Sequence, residues 1–435
     1  MKFYSTNNKD LRVSFEQAVF NSLPADKGLY MPTEIPSLDP LFIKNIQQYS
    51  LQEIALEIAK KFIEQDIPEN DLREIIKEAV NFDAPVKFLS SNTAVLELFH
   101  GPSFAFKDFG ARFMSRIMGY FSTKEDKQLD VLVATSGDTG GAVALGFLGV
   151  QGTRVTILYP KGKVSKVQEQ QLTSNGLNIR AIEIDGTFDD CQALVKQAFN
   201  DKDLNQTLRL TSANSINIAR LIPQTFYYFW AYAQLKAQGI KDVVFTVPSG
   251  NFGNIAAGII ASKMGLPIHQ FIAATNINDT VPRFLDSGVF EPKPSVQTLA
   301  NAMDVGNPSN WVRIQDMFDQ NIDNLRSLVS TYSFTDAQTK LGMEELEKEY
   351  NYIACPHTAI AYLASQKYRT ANPGEYASVF LSTAHPCKFP GAISQESLKK
   401  IKEPAQVKEL AGKEQFFTSM KIDYSSFKTY LLENN

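Results

Sequence analysis

From about residue 130 onward, short β-rich runs alternate with stretches of helical character, and this alternation limits the possible folds more than any other feature of the chain. The runs fall at residues 131–134, 155–159, 179–184, 243–247 and 270–274, with one more at 377–381. The chain between them is long enough for crossover helices, so the expected class is α/β with sheets of parallel strands. A segment at residues 216–238, amphipathic in pattern and with Asn214 or Ser215 able to cap it, separates two groups of strands. Two sheet units follow from this. The first ninety residues read differently: residues 51–59 and 70–76 place apolar side chains at helical spacing, which predicts a helical N-terminal unit. Residues 285–312 are rich in Pro, Asn, Ser and Gly and read as a long ordered loop. The tail beyond residue 400 is rich in Lys and Glu and is expected mostly at the surface.

Composition enters through what it excludes. The 43 Lys+Arg against 47 Asp+Glu leave a formal charge of −4, with no cationic excess to hold a nucleic-acid backbone or an anionic membrane surface. No uncharged apolar run reaches the roughly 18 residues of a membrane span. The opening residues 1–8 are expected to be neither a secretory signal nor a transit peptide. Cys191, Cys355 and Cys387 are far apart, as are His100, His269, His357 and His385. Their spacing predicts no metal site and fits a reducing, cytoplasmic setting.

Four segments combine residue types that chemistry needs. The first, Thr135-Ser136-Gly137-Asp138-Thr139-Gly140-Gly141, lies between a strand and an apolar helix. Its glycines allow a ligand close to the backbone, and the helix start offers unpaired N–H groups and a positive dipole end to an anion. Read alone, it is equally a tight turn. The second, Pro248-Ser249-Gly250-Asn251-Phe252-Gly253-Asn254, again follows a strand and opens a helix. It lacks the Lys of a P-loop and the spacing of a dinucleotide fingerprint, which leaves a cradle of backbone donors suited to a phosphate monoester. Two such loops predict two anionic groups near the ends of the strands.

In the third segment Lys107 sits among Phe104, Phe106 and Phe109. Partial desolvation would depress its pKa and expose the neutral amine that condenses with a carbonyl; in isolation, most such lysines simply snorkel to water. In the fourth, Asn214, Ser215 and Arg220 could meet on the first turns of one helix, pooling amide, hydroxyl and guanidinium donors suited to a phosphate. Taken singly, this set is an N-cap beside a surface arginine.

Further segments recur with these in order: Phe3-Tyr4-Ser5-Thr6-Asn7, Gly28-Leu29-Tyr30-Met31-Pro32, Ala302-Met303-Asp304-Val305-Gly306-Asn307-Pro308-Ser309-Asn310 and Ser382-Thr383-Ala384-His385-Pro386-Cys387-Lys388-Phe389. Together they resemble the threonine synthase family, of the longer type with an extra N-terminal domain, in the fold type II group of pyridoxal phosphate enzymes. The resemblance implies a tryptophan synthase β-like fold. Its domains would be a mainly helical N-terminal one at 1–90, a large cofactor-binding α/β domain at 91–129 and 214–400, a small α/β domain at 130–213, and a C-terminal tail at 401–435.

It further implies that Lys107 joins the cofactor and moves protons. Ser249, Gly250, Asn251, Phe252, Gly253 and Asn254 would hold the cofactor phosphate, with Asn251 and Asn254 ordering the turn, and Thr383 would face the pyridine nitrogen. The implied substrate is O-phospho-L-homoserine, met by Thr135, Ser136 and Thr139 at its carboxylate or phosphate and by Asn214, Ser215 and Arg220 at its phosphate. Asp138 stands where many relatives in the wider fold group carry Asn against the cofactor's phenolic oxygen. An acidic residue there has to be protonated or turned aside. The implied reaction is the last step of threonine biosynthesis, γ-elimination followed by β-addition of water to give L-threonine and inorganic phosphate, in a monomer or homodimer whose smaller domain closes on the substrate. The alternatives are a dehydratase or phospholyase of the same fold group, releasing a keto acid, and a sensor without turnover.

Overall fold

The computed structural model describes residues 1–123, 128–410 and 412–434. Its strands in chain order are β1 (Phe3–Ser5), β2 (Asn8–Val13), β3 (Tyr30–Pro32), β4 (Val86–Phe88), β5 (Thr93–Glu97), β6 (Leu129–Ala134), β7 (Thr153–Pro160), β8 (Ile179–Ile184), β9 (Arg209–Ser212), β10 (Val243–Pro248), β11 (Gln270–Thr275), β12 (Val329–Ser333), β13 (Ala377–Ser382) and β14 (Thr418–Met420). They form three sheets, ordered β2-β1-β3, β12-β11-β10-β13-β5-β4 and β14-β8-β7-β6-β9. The small first sheet is antiparallel. The second is parallel apart from its edge pair β4–β5, and the third is parallel throughout.

Strands β6, β7, β10, β11 and β13 are buried along their whole length. Crossover helices cover both faces of such a sheet, which is why these strands read as continuous apolar runs rather than as alternating ones. In the second sheet β13 returns between β10 and β5, so the winding direction reverses there. The third sheet reverses in the same way between β6 and β9. Open α/β sheets bind ligands in the crevice beyond the carboxyl ends of strands at such reversals. The loops after β5, β10 and β13, and those after β6 and β9, carry all four chemical segments and Thr383.

Three expectations need correcting. The N-terminal unit is not only helical: β1, β2 and β3 form a sheet beside helices Leu51–Ile63 and Glu69–Ala79. Residues 216–238 are not one helix but a turn Ile218–Leu221, a 3-10 segment Ile222–Thr225 and a helix Phe226–Ala237. Pro223 has no N–H to continue the ladder, and the last helix is buried on most sides through Phe226, Tyr227, Tyr228 and Phe229. The cap is Asn217, whose side chain accepts the Ala219 N–H at 3.0 Å, rather than Asn214 or Ser215. The C-terminal tail is mostly exposed, as expected, yet part of it packs against the third sheet. β14 extends the third sheet alongside β8, and helix Tyr424–Glu433 buries Phe427 and Leu431 against Ile182, Ile184 and Leu194.

Candidate active site

Lys107 is the first residue of helix Lys107–Ser122 and stands partly exposed at its start. The segment leading to it is pinned to the loop after β13. The Phe106 N–H donates to the Thr383 carbonyl at 2.8 Å, the His385 N–H donates to the Phe104 carbonyl at 2.9 Å, and Ala105 bridges Ala384. Phe104 takes φ +58, a conformation bulky residues rarely adopt outside functional loops. Burial is the main force lowering the Lys107 pKa to about 8; Asp138 opposes it, while Arg220 and Lys388 add to it. A neutral amine is therefore accessible near physiological pH.

The loop after β10 is a donor cradle. Phe252, at φ +59, caps helix Gly253–Lys263 from the left-handed region. Asn254 Nδ2 donates to the Pro248 carbonyl at 2.9 Å, and Asn251 Oδ1 accepts the Ser309 N–H at 2.6 Å, so both amides brace the turn. Among the described residues, none of the backbone N–H groups from Gly250 to Asn254 is spent on a loop or turn bond. Ser249 is differently used: its N–H donates to the Ala274 carbonyl and its Oγ to the Val247 carbonyl.

Ser215 joins this cradle to the phosphate-type set, because its Oγ accepts from Asn251 Nδ2 at 2.7 Å and from Asn310 Nδ2 at 3.3 Å. Arg220 is 3% exposed and turns back so that Nη1 donates to the Ala213 carbonyl at 2.5 Å. Burial lowers its pKa to about 10. Among the described residues its Nε has no partner, nor has the buried Asn214 Oδ1. A buried guanidinium with an unspent donor is costly unless a ligand completes it.

After β6, Gly137 at φ +132 lets the chain turn into helix Asp138–Phe147. Thr135 Oγ1 accepts the N–H groups of Gly137 and Gly140, each at 2.9 Å, and so shapes its own loop. Ser136 and Thr139 stay half-buried beside it. Asp138 is turned aside. Its Oδ1 lies 2.8 Å from Lys388 Nζ and accepts from Gln168 Nε2 at 2.9 Å. Burial alone would raise this carboxyl, but Lys388, Lys107 and Gln168 together hold it well below the usual carboxylate range.

Sequence reasoning missed several residues here. His357 is 2% exposed, accepts the Ala302 N–H through Nε2 and, among the described residues, leaves Nδ1 without a partner. Gln168 comes from a helix with no motif. Arg313 is fully buried and donates to the carbonyls of Tyr30, Ser215 and Ile216 and to Asn310 Oδ1, bracing the Ser215 loop from behind. Its only signal was its place three residues after the Asn307-Pro308-Ser309-Asn310 segment.

The donor set fits pyridoxal phosphate. It offers a low-pKa amine, a run of free N–H groups at a helix start, and orphaned polar atoms at Ser103, Asp108, Asn214, Arg220, Asn301 and His357. Among the described residues no group of three or more His, Cys, Asp or Glu could hold a metal ion, and no helix is long and apolar enough to cross a membrane.

Comparison with known proteins agrees with this reading. The family described as pyridoxal-phosphate dependent enzyme matches residues 90–383, that of the threonine synthase N terminus residues 2–80, and that of the threonine synthase C-terminal region residues 358–431. Threonine synthase of Escherichia coli is 42% identical over 434 residues, covering 100% of both chains, and its crystal structure superposes with a TM-score of 0.91. Threonine synthase of Saccharomyces cerevisiae is 35% identical over 92% of this chain and 91% of its own. A crystal structure of threonine synthase from Brucella melitensis with bound PLP is 35% identical, has a TM-score of 0.93, and is matched over 100% of this chain and 99% of that one. On likeness of this extent, the chain belongs to the threonine synthase family of pyridoxal-phosphate-dependent enzymes.

Proposed function

We propose that the chain converts O-phospho-L-homoserine and water to L-threonine and inorganic phosphate. One observation carries the assignment at the level of the site. The low-pKa lysine Lys107 stands with two anion sites, the Gly250–Asn254 run of N–H groups free of loop and turn bonds and the under-partnered Arg220 guanidinium whose charge acts on it. The reaction needs both, one for the cofactor phosphate and one for the substrate phosphate.

When bound, pyridoxal phosphate supplies the electron sink that makes the Cα and Cβ protons of the substrate removable. The chain's residues do the rest. Gly250, Asn251, Phe252, Gly253 and Asn254 hold the cofactor phosphate on backbone N–H groups, reinforced by the positive end of helix Gly253–Lys263. Thr383 faces the ring nitrogen with a neutral hydroxyl. Lys107 takes the Cα proton at its Nζ, releases it, and as the neutral amine again takes a Cβ proton. Arg220, Asn214 and Ser215 hold the substrate phosphate as its ester oxygen leaves Cγ with the bonding pair. Cγ takes a proton and becomes the methyl group, water forms the new Cβ–O bond and gives up one of its protons, and Cα is reprotonated. Ser136 and Thr139 orient the substrate carboxylate, and Thr135 keeps their loop in shape.

The unsaturated intermediate must be shielded from stray water, a requirement met by closure of the unit built on β6 to β9 over the second sheet; scattering profiles that do not change on adding a substrate analogue would refute this closure. The reaction itself is tested by one product assay. Purified protein, pyridoxal phosphate and O-phospho-L-homoserine should yield threonine and phosphate in equal amounts. Phosphate with 2-oxobutyrate would instead identify a phospholyase.

A further inference from the structure

The loop after β13 holds a lysine to which the mechanism above gives no task. Lys388 is fully buried; its Nζ donates to the Ser103 carbonyl at 2.8 Å and lies 2.8 Å from Asp138 Oδ1. Gln168 adds its bond to the same carboxylate oxygen at 2.9 Å. Four segments meet in this clip: the loop after β13, the loop that leads to Lys107, the start of helix Asp138–Phe147 and helix Lys166–Thr173. It therefore bridges the two large sheets.

A buried ion pair is a poor source of stability, because desolvating two charges offsets most of their attraction. Its place in the molecule gives it another purpose. The charged groups that act on Lys107 are Asp138, Arg220 and Lys388, and those that act on Asp138 include both lysines. Asp108 faces Arg220, and His357 feels Asp138, Lys107 and Lys388. Among the charged groups of the described residues that act on Lys107, Asp138 is the carboxylate. Left to itself it would become the counter-ion of the Lys107 ammonium and keep the proton there.

We propose that Lys388 is a positioning residue for the reaction: by engaging Asp138 in a closed ion pair, it prevents that carboxylate from becoming the counter-ion of Lys107, and so leaves Lys107 free to lose and regain a proton. This rests on the reading of Lys107 as the cofactor lysine given above. The pair acts as a unit. Removing either member should displace the Lys107 ionisation in opposite directions, whereas removing both should restore it.

The experiment uses holoenzyme reconstituted with pyridoxal phosphate, comparing the unaltered protein with Lys388→Gln, Asp138→Asn and the double variant. The readout is the pH midpoint of the absorbance band of the lysine-linked cofactor. Lys388→Gln should raise the midpoint by about one pH unit and Asp138→Asn should lower it by a similar amount. The double variant should return to within roughly half a pH unit of the starting value. Midpoints that move in the same direction, or that stay in place, overturn the proposal. If neither single variant retains cofactor, retention by the double variant decides: recovery supports the paired role and failure overturns it. Absence of the band in the unaltered protein overturns the cofactor-lysine reading and this proposal with it, whereas a normal band with unmoved variants overturns this proposal alone.

Discussion

Gly250 stands so close to Met303 that a Cβ added to it would lie 2.7 Å from the Met303 Cα and 2.8 Å from the Ala302 carbonyl oxygen. Both obstacles are backbone, so they cannot swing away as a flexible side chain would. Gly250→Ala should push the cradle out of line while leaving the sheets intact. Affinity for pyridoxal phosphate should fall at least about tenfold, which is roughly 1.4 kcal/mol. Titration of apoenzyme with cofactor, followed by absorbance, checks this; unchanged affinity with unchanged circular dichroism would mean that the cradle does not hold the phosphate.

Arg220 is the site residue whose geometry a lysine cannot reproduce, because a planar fork is replaced by a point charge. Arg220→Lys should raise KM for O-phospho-L-homoserine about 10- to 100-fold, the equivalent of losing charged hydrogen bonds worth about 1.5–3 kcal/mol. The cofactor band should stay as it is. Steady-state kinetics with varied substrate separates the two, and a kcat loss at constant KM would argue against phosphate binding by this residue.

His357 links the site to acid stability. Its pKa is pushed down to about 4 from the ordinary 6.5, first by burial and further by Lys107 and Lys388, with Asp138 opposing. The unfolded chain takes up that proton near pH 6.5 and the folded chain only near 4. The stability carried by neutral His357 is therefore complete above the unfolded value and is lost as pH falls through the window between them. Asp108 and Asp304, each raised by burial to about 6, titrate in the same window with the opposite sign. Comparison with His357→Gln isolates the histidine. The loss of unfolding free energy between pH 6.5 and pH 5 should be smaller in the variant by about 2 kcal/mol, measured by urea denaturation at each pH.

The C-terminal helix can be tested against its own neighbourhood. Phe427 is fully buried, whereas Phe416 is 54% exposed. Phe427→Ala should cost about 3–5 kcal/mol of stability, and Phe416→Ala should stay within about 0.5 kcal/mol. Chemical denaturation of both variants provides the comparison. Equal effects would mean that the tail is not packed as described.

The class of fold was legible because the central strands are covered on both faces and so have no polar alternation to blur them. β9 was not, since Arg209 and Leu210 are only half-buried and the strand is four residues long. β5 escaped notice although Ser90-Ser91-Asn92 make the turn that pairs it with β4: the strand is five residues long and its partner β4 only three. The site was legible wherever residues are adjacent in sequence, as in the two glycine-bearing loops. His357, Gln168 and Arg313 come from helices whose local pattern marks no function, and only the packing of distant segments brings them to the site. The same holds for the partner of Asp138. An aspartate where an amide was expected raised the question, but its answer lies at Lys388, 250 residues further along the chain.

The position of β13 also bears on how the molecule is made. It pairs with β10 on one side and β5 on the other, so the middle of the second sheet stays open until residues 377–382 have been synthesised. β14 closes the β8 edge of the third sheet later still. On the ribosome, therefore, exposed sheet edges persist until the last part of the chain emerges, and a nascent chain with such edges is prone to self-association. A message truncated before β13 would yield a polypeptide with Lys107 present but with no central strand to complete the sheet beside it.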